Sequence, residues 1–189
     1  NLAAGKAELD ACPYVSDEAR EKLAEASAPP IRPVKVGKGV RGRTIGGETV
    51  EYRHEKTFFN QPALAALVGS DIGDDELQTK LKKWNAFQYD RVGFNLRPEF
   101  VALKDVNQDK DAFAAKAKYV AEQSEFNLVL MSEDKDVMQA GIEACKFKRP
   151  LLYAATESNV NDFAQLAKDN ELPLAVKADS VDKVSELTD

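Results

Sequence analysis

Asn127-Leu128-Val129-Leu130-Met131, Leu151-Leu152-Tyr153-Ala154-Ala155 and Leu174-Ala175-Val176 are three short apolar runs, each followed by a stretch of helical periodicity. With Val129, Leu152 and Ala175 as their centres, the spacing is 23 residues twice over. Continuous apolar runs of this length read as strands buried on both faces, and that spacing is one βα unit with short loops. Right-handed crossovers then make successive strands parallel. The expected helices run from Lys135 to Phe147, from Val160 to Asn170 and from Val181 onward. Ser132, Asn159 or Asn161, and Ser180 stand where their caps belong.

Working toward the N-terminus, Asp109 to Gln123 reads as an amphipathic helix with Phe113, Ala117, Val120 and Ala121 on one face. Asp74 is expected to cap a helix reaching about Phe87, and Arg91 to Asn95 reads as a strand. Val34-Lys35-Val36 and Thr49-Val50-Glu51-Tyr52-Arg53 alternate like the arms of a hairpin around glycine-rich turns, and a further strand is expected around Tyr52 to Phe58. Pro29-Pro30-Ile31-Arg32-Pro33 cannot be helical, because each proline forces its predecessor out of the α region. This extended linker, residues 29–33, divides a first unit, 1–28, from the main domain, 34–189. In the first unit Ser16-Asp17 is read as the cap of a short helix from Glu18 to Ala26. Asn1 to Ala11 reads as the tail of a helix that began earlier, and Asp189 falls just after another helix has started. Two α/β architectures fit the main domain: an open doubly wound sheet or part of a (βα)8 TIM barrel. The strands carry no nucleotide fingerprint, which favours a partial barrel supplying about five of eight strands.

Composition narrows the function classes. The 189 residues are 43% hydrophobic and 31% charged, a globular balance, with a net charge of -6. That balance argues against nucleic acid or an anionic membrane surface as partner. No apolar run approaches the roughly 20 residues of a membrane-spanning helix. Cys12 and Cys145 sit in unlike contexts and form no disulfide framework, so a cytoplasmic location is the expectation.

Gly37-Lys38-Gly39-Val40-Arg41-Gly42 matches G-x-G-x-x-G, but Arg43-Thr44-Ile45-Gly46-Gly47 cannot open the helix a dinucleotide site requires. It reads as a hairpin turn. His54, the single histidine, lies in Arg53-His54-Glu55-Lys56 without a nucleophile beside it, and reads as a structural histidine. Cys145, among small residues on a helix, reads as a packed hydrophobe. Cys12 is followed by Pro13, as the last cysteine of many iron–sulfur runs is, with Leu9, Ala11, Tyr14 and Val15 to shield a cluster; a buried structural thiol would look similar. At the expected strand ends, Asn95-Leu96-Arg97, Ser132-Glu133-Asp134, Thr156-Glu157-Ser158 and Lys177-Ala178-Asp179 offer polar groups. Glu133 with Lys177 and Asp179 can be imagined as an acid/base set for an independent barrel enzyme, although helix capping explains Ser132 and Asp134.

Gly5-Lys6-Ala7-Glu8-Leu9-Asp10-Ala11-Cys12-Pro13-Tyr14, Pro29-Pro30-Ile31 and Arg53-His54-Glu55-Lys56-Thr57-Phe58, in that order, resemble the large (gamma) subunit of the corrinoid iron–sulfur proteins of the acetyl-CoA synthase (Wood-Ljungdahl) pathway. The resemblance implies the end of a small helical module holding a 4Fe-4S cluster, followed by part of a TIM barrel, with a C-terminal domain carrying the corrinoid (cobalamin) beyond it. It implies a methyl carrier that takes a methyl group from methyltetrahydrofolate, through a methyltransferase, onto cobalt. The carrier then delivers that methyl group to acetyl-CoA synthase/CO dehydrogenase. The cluster's implied task is reductive rescue of oxidised corrinoid, and the small subunit is the implied heterodimer partner. Only Cys12 maps onto a functional position, as the fourth cluster ligand, the other three being expected upstream of Asn1. No catalytic role attaches to Arg53, His54, Glu55 or Lys56. A related scaffold without redox chemistry is the remaining alternative.

Overall fold

A computed structural model of the chain describes residues 16, 33–46 and 62–188. Two compact units divide the chain: Asn1–Pro33 with Gly46–Phe58, and Val34–Ile45 with Phe59–Asp189. Nearly all described residues belong to the second. The module expected over 1–28, most of the linker, the strands expected at 49–53 and 52–58, Cys12 and the Arg53–Lys56 segment lie outside the described residues.

The second unit is built on a five-stranded parallel sheet. Its strands are β3 (Ala65–Gly69), β6 (Phe100–Lys104), β7 (Asn127–Met131), β8 (Leu151–Ala155) and β9 (Leu174–Val176), in that spatial order. Spatial order follows chain order without reversal. The helices α1 (Asp74–Ala86), α2 (Lys110–Gln123), α3 (Lys135–Cys145), α4 (Val160–Asp169) and α5 (Val181–Thr188) alternate with the strands. Two antiparallel hairpins complete the unit: β1 (Val34–Val36) with β2 (Arg43–Ile45), and β4 (Tyr89–Arg91) with β5 (Phe94–Leu96).

One face of the sheet meets the helices. Because side chains alternate along a strand, Val68, Val101, Leu103, Leu128, Leu130 and Leu152 all point into a single core with Leu77, Phe113, Val120, Met138, Ile142 and Phe163. Each fully buried aromatic or aliphatic side chain contributes about 1.5–3 kcal/mol. The helix α2 stripe is the one its periodicity predicts, with Phe113, Ala117, Val120 and Ala121 all buried. Asp109 caps it, accepting from the backbone N–H groups of Asp111 and Ala112 at 3.0 Å. Gly141 lets helix α3 approach helix α2: a Cβ there would lie 2.6 Å from the Phe113 ring and 3.3 Å from Leu130. On the opposite sheet face Leu67, at the edge, is 60% exposed, while Phe100 and Ala102 are buried.

The β1–β2 hairpin closes the N-terminal end of the sheet. Asn127, wholly buried, accepts from the Lys38 N–H at 2.9 Å and donates to the Lys38 carbonyl at 3.0 Å. Gly37 sits against the Asn127 side chain at φ 73°, where no Cβ would fit. Arg149, itself left-handed, donates from Nε to the Lys35 carbonyl and accepts from the Gly37 N–H. Glu99 is 1% exposed and pairs with Arg43 while accepting from the Leu64 N–H at 3.2 Å. Arg41 stacks over Phe126, 4.4 Å from the ring centroid, and donates to the Pro98 carbonyl and to Asn85.

Three expectations are corrected. Arg91–Asn95 is no sheet strand: Val92-Gly93 reverses the chain there, with φ 49° and 80°, a two-residue hairpin turn. Ala65–Gly69 and Phe100–Lys104, not expected from the sequence, are strands of the sheet. Strand β1 pairs with Arg43–Ile45, while the Gly37–Gly42 segment between them is the turn that was expected, tightened by a short 3-10 helix. Asp74 is the first residue of helix α1 and bonds Lys116; Gly73 holds the cap position without a side-chain bond.

Two substitutions test this packing by chemical denaturation. Gly141→Ala, although alanine is the better helix former, is expected to destabilise by about 1–3 kcal/mol through overpacking against Phe113. Glu99→Ala, which removes the buried partner of the half-buried Arg43 guanidinium and the acceptor of the Leu64 N–H, is expected to cost about 1–3 kcal/mol; a loss below about 0.5 kcal/mol would refute the role given to that pair.

Candidate functional site

Parallel α/β sheets place their ligand sites at the carboxyl ends of the strands. At that end the second unit has an open cleft of about 610 Å³ lined by residues at or just after the ends of β6 to β9, among them Lys104, Ser132, Glu133, Tyr153 and Lys177. Glu133 and Lys177, the pair singled out from sequence, do share this cleft. Asp179 lines a neighbouring depression instead, with Lys177, Glu157 and Lys183. Asn95-Leu96-Arg97 belongs to the β4–β5 hairpin and is absent from both.

Much of the polar chemistry here is engaged in holding loops. Ser132 Oγ donates to Asp105 at 2.9 Å and accepts from the Asp134 N–H at 3.1 Å. Asp134 is the true cap of helix α3, accepting from Asp136 and Val137 N–H, so Ser132 supports the cap and does not form it. Asn159 stands at the helix α4 cap position, but its Oδ1 accepts from the Thr156 N–H. Ser180 accepts from the Lys183 N–H, as a cap does. Lys183 pairs with Glu157 at 3.0 Å, and that hydrogen bond holds its ammonium above the usual lysine range. Lys135 is raised the same way by Asp162, 2.7 Å away, a pair that ties the starts of helices α3 and α4.

Lys104 and Lys177 are left without a carboxylate partner among the described residues. Its described residues thus offer charge and a phenol, Tyr153, and none of them is a nucleophile paired with a base. Sequence reasoning missed Lys104 and Tyr153 as cleft residues because strand β6 went unseen and Tyr153 read as core.

Cys145 is fully buried, and its Sγ donates to the Gly141 carbonyl at 3.2 Å. Burial pushes its thiol up to about 12, the opposite of what a thiolate ligand or nucleophile requires. The packing reading of Cys145 holds. Among the described residues no three His, Cys, Asp or Glu side chains gather in a way that could hold a metal ion. The described residues therefore do not fit a four-thiolate cluster. No described helix is long and apolar enough to cross a membrane.

Residues 33–189 match the family described as CO dehydrogenase/acetyl-CoA synthase delta subunit. The chain belongs to this family. Over its whole length it is 41% identical to the corrinoid/iron-sulfur protein large subunit of Moorella thermoacetica, covering 42% of that relative. It is 39% identical, over 94% of the chain and 38% of the relative, to the acetyl-CoA decarbonylase/synthase complex subunit gamma of Methanopyrus kandleri. Subunit gamma 1 of the same complex in Methanosarcina thermophila is 38% identical over 87% of the chain and 36% of its own length. The chain thus spans about two fifths of these relatives. The family resemblance read from Cys12-Pro13 and the Arg53–Phe58 motif is the correct one.

A thiol this deeply protonated is inert while the fold persists. Cys145 is expected to resist iodoacetamide and disulfide reagents at pH 8 in the native protein and to react fully once denatured, read by mass spectrometry; rapid native labelling would contradict its placement.

Proposed function

We propose that this chain forms part of the large subunit of a corrinoid/iron–sulfur methyl carrier. Its second unit contributes the first strands of a TIM barrel. The observation that carries the proposal is the family match over 33–189, together with identity near two fifths to large and gamma subunits along the whole chain. The sheet supports the barrel reading. Five parallel strands lie in chain order, with one face against the helices, whereas a doubly wound sheet reverses its strand order and is covered on both faces.

In this reading the carrier accepts a methyl group on cobalt from methyltetrahydrofolate, through a methyltransferase, and delivers it to acetyl-CoA synthase/CO dehydrogenase. A 4Fe-4S cluster, held in part by Cys12, would supply the one-electron chemistry for reductive reactivation of the corrinoid. Cys12 is the one cluster ligand this chain provides, residues 1–28 close the cluster module, and 29–33 form its proline-stiffened hinge. The small subunit is the heterodimer partner. The described residues act as a rigid platform: their buried core and their engaged loop carboxylates hold a surface and leave no reacting group aligned.

Iron and cobalt per mole in the native protein, purified without oxygen, test this directly. About four irons and one cobalt per heterodimer are expected. Neither metal in intact protein would overturn the proposal. Cys12→Ala is expected to lower iron and the cluster's visible absorption while cobalt stays; unchanged iron would remove Cys12 from the ligand set.

A further inference from the structure

The β4–β5 hairpin has a use that the fold itself does not explain. Its register places Tyr89 opposite Leu96 and Arg91 opposite Phe94 on one face, and Asp90 opposite Asn95 on the other. The polar face is self-contained: Asn95 Nδ2 donates to Asp90 at 3.0 Å and reaches Gln88 at 3.4 Å. The other face is not. Tyr89 is 53% exposed and Phe94 61%, and no carboxylate among the described residues pairs with Arg91. Among the described elements this hairpin packs substantially only on itself. An isolated two-stranded hairpin is marginal in water.

The tip sharpens the point. Both turn residues have positive φ, which asparagine-glycine satisfies without strain and a β-branched residue resists. Val92 nevertheless occupies the first position at φ 49° and is 89% exposed. Local folding is poorly served by that side chain, and no internal contact rewards it. Two aromatics, an arginine and a strained apolar tip are the composition of an interface centre.

We propose that the Tyr89–Leu96 hairpin is a docking element for another protein subunit, whose matching surface is an apolar patch bordered by a carboxylate that receives Arg91. The choice of occupant follows from charge complementarity, since Arg91 is the face's one ionised group, and it rests on the reading of the chain as a subunit of an assembly.

The test uses the complete native subunit and the companion subunit that copurifies with it, with affinity measured by titration calorimetry. Val92→Asn should leave the thermal midpoint unchanged or raised, because asparagine suits the turn, and yet weaken association about tenfold. Phe94→Ser should weaken it at least as much, and Arg91→Glu should also reduce its salt dependence. Undiminished affinity in Phe94→Ser and Arg91→Glu overturns the proposal. So does amide-exchange protection of residues 89–96 in the isolated complete subunit, which would mean its own chain covers the face. Concentration-dependent self-association abolished by Phe94→Ser would give the face to a second copy and overturn it likewise. Iron and cobalt content separates the two readings: association lost with both metals retained confirms docking, whereas metals absent from a fully associating protein sink the carrier reading alone.

Discussion

A buried amide side chain must find its hydrogen bonds inside the protein, and Asn127 finds them in the backbone of Lys38. That exchange, made where water is excluded, joins the first hairpin to the start of the third sheet strand across 89 residues of sequence. Glu99 extends the junction one strand further. Its backbone carbonyl accepts from Asn127, its N–H donates to Leu64, and its carboxylate joins Arg43 to the Leu64 N–H. Strands β2, β3, β6 and β7 are thereby indexed against one another at their N-terminal ends. Stranding either polar group would cost more than any single apolar contact contributes. The register of the sheet therefore depends on this polar knot more than on the interchangeable aliphatic residues above it.

The two ends of the sheet consequently differ in kind. The N-terminal end is plugged, with Arg41 stacked on Phe126 and its guanidinium lowered from the usual arginine value by burial and by Arg97 nearby. The C-terminal end is open, and its loops are braced by carboxylates that cap helices. Ser132 bonds Asp105, Asp105 also accepts from the Gln108 N–H, and Asp134 accepts from backbone N–H groups, while Glu133 lines the cleft.

The repeat from Asn127 onward was legible because strands β7, β8 and β9 are continuous apolar runs and their helices have short loops. All three strands, and the buried stripe of helix α2, fall where periodicity puts them. The earlier half of the sheet was not legible, for physical reasons. Strand β3 is Ala-Ala-Leu-Val-Gly, poor in the branched and aromatic residues that mark strands, because it packs small side chains at the sheet edge. Val92-Gly93 lacks the usual turn chemistry, so a hairpin resembled a single strand. Of the five strands expected, three fall in the sheet, Arg91–Asn95 belongs to a separate hairpin, and the one around Tyr52–Phe58 lies outside the described residues. Of the candidate site, Glu133 and Lys177 were visible as a pair because both follow recognised strands. Lys104 was hidden with strand β6.

Gly141 and Val92 show how far local preference can be read. Each is the wrong residue for its own element, glycine inside a helix and valine at a left-handed turn. For Gly141 the structure supplies the compensation: the Phe113 ring occupies the space a Cβ would take, and the helix pair gains a close approach that outweighs a propensity loss of about 1 kcal/mol. Val92 has no such compensation among the described residues. A local rule broken for the sake of internal packing explains itself within the chain. One broken at a solvent-facing tip, beside Tyr89 and Phe94, finds no compensation among the described residues, and the docking proposal places it in a partner.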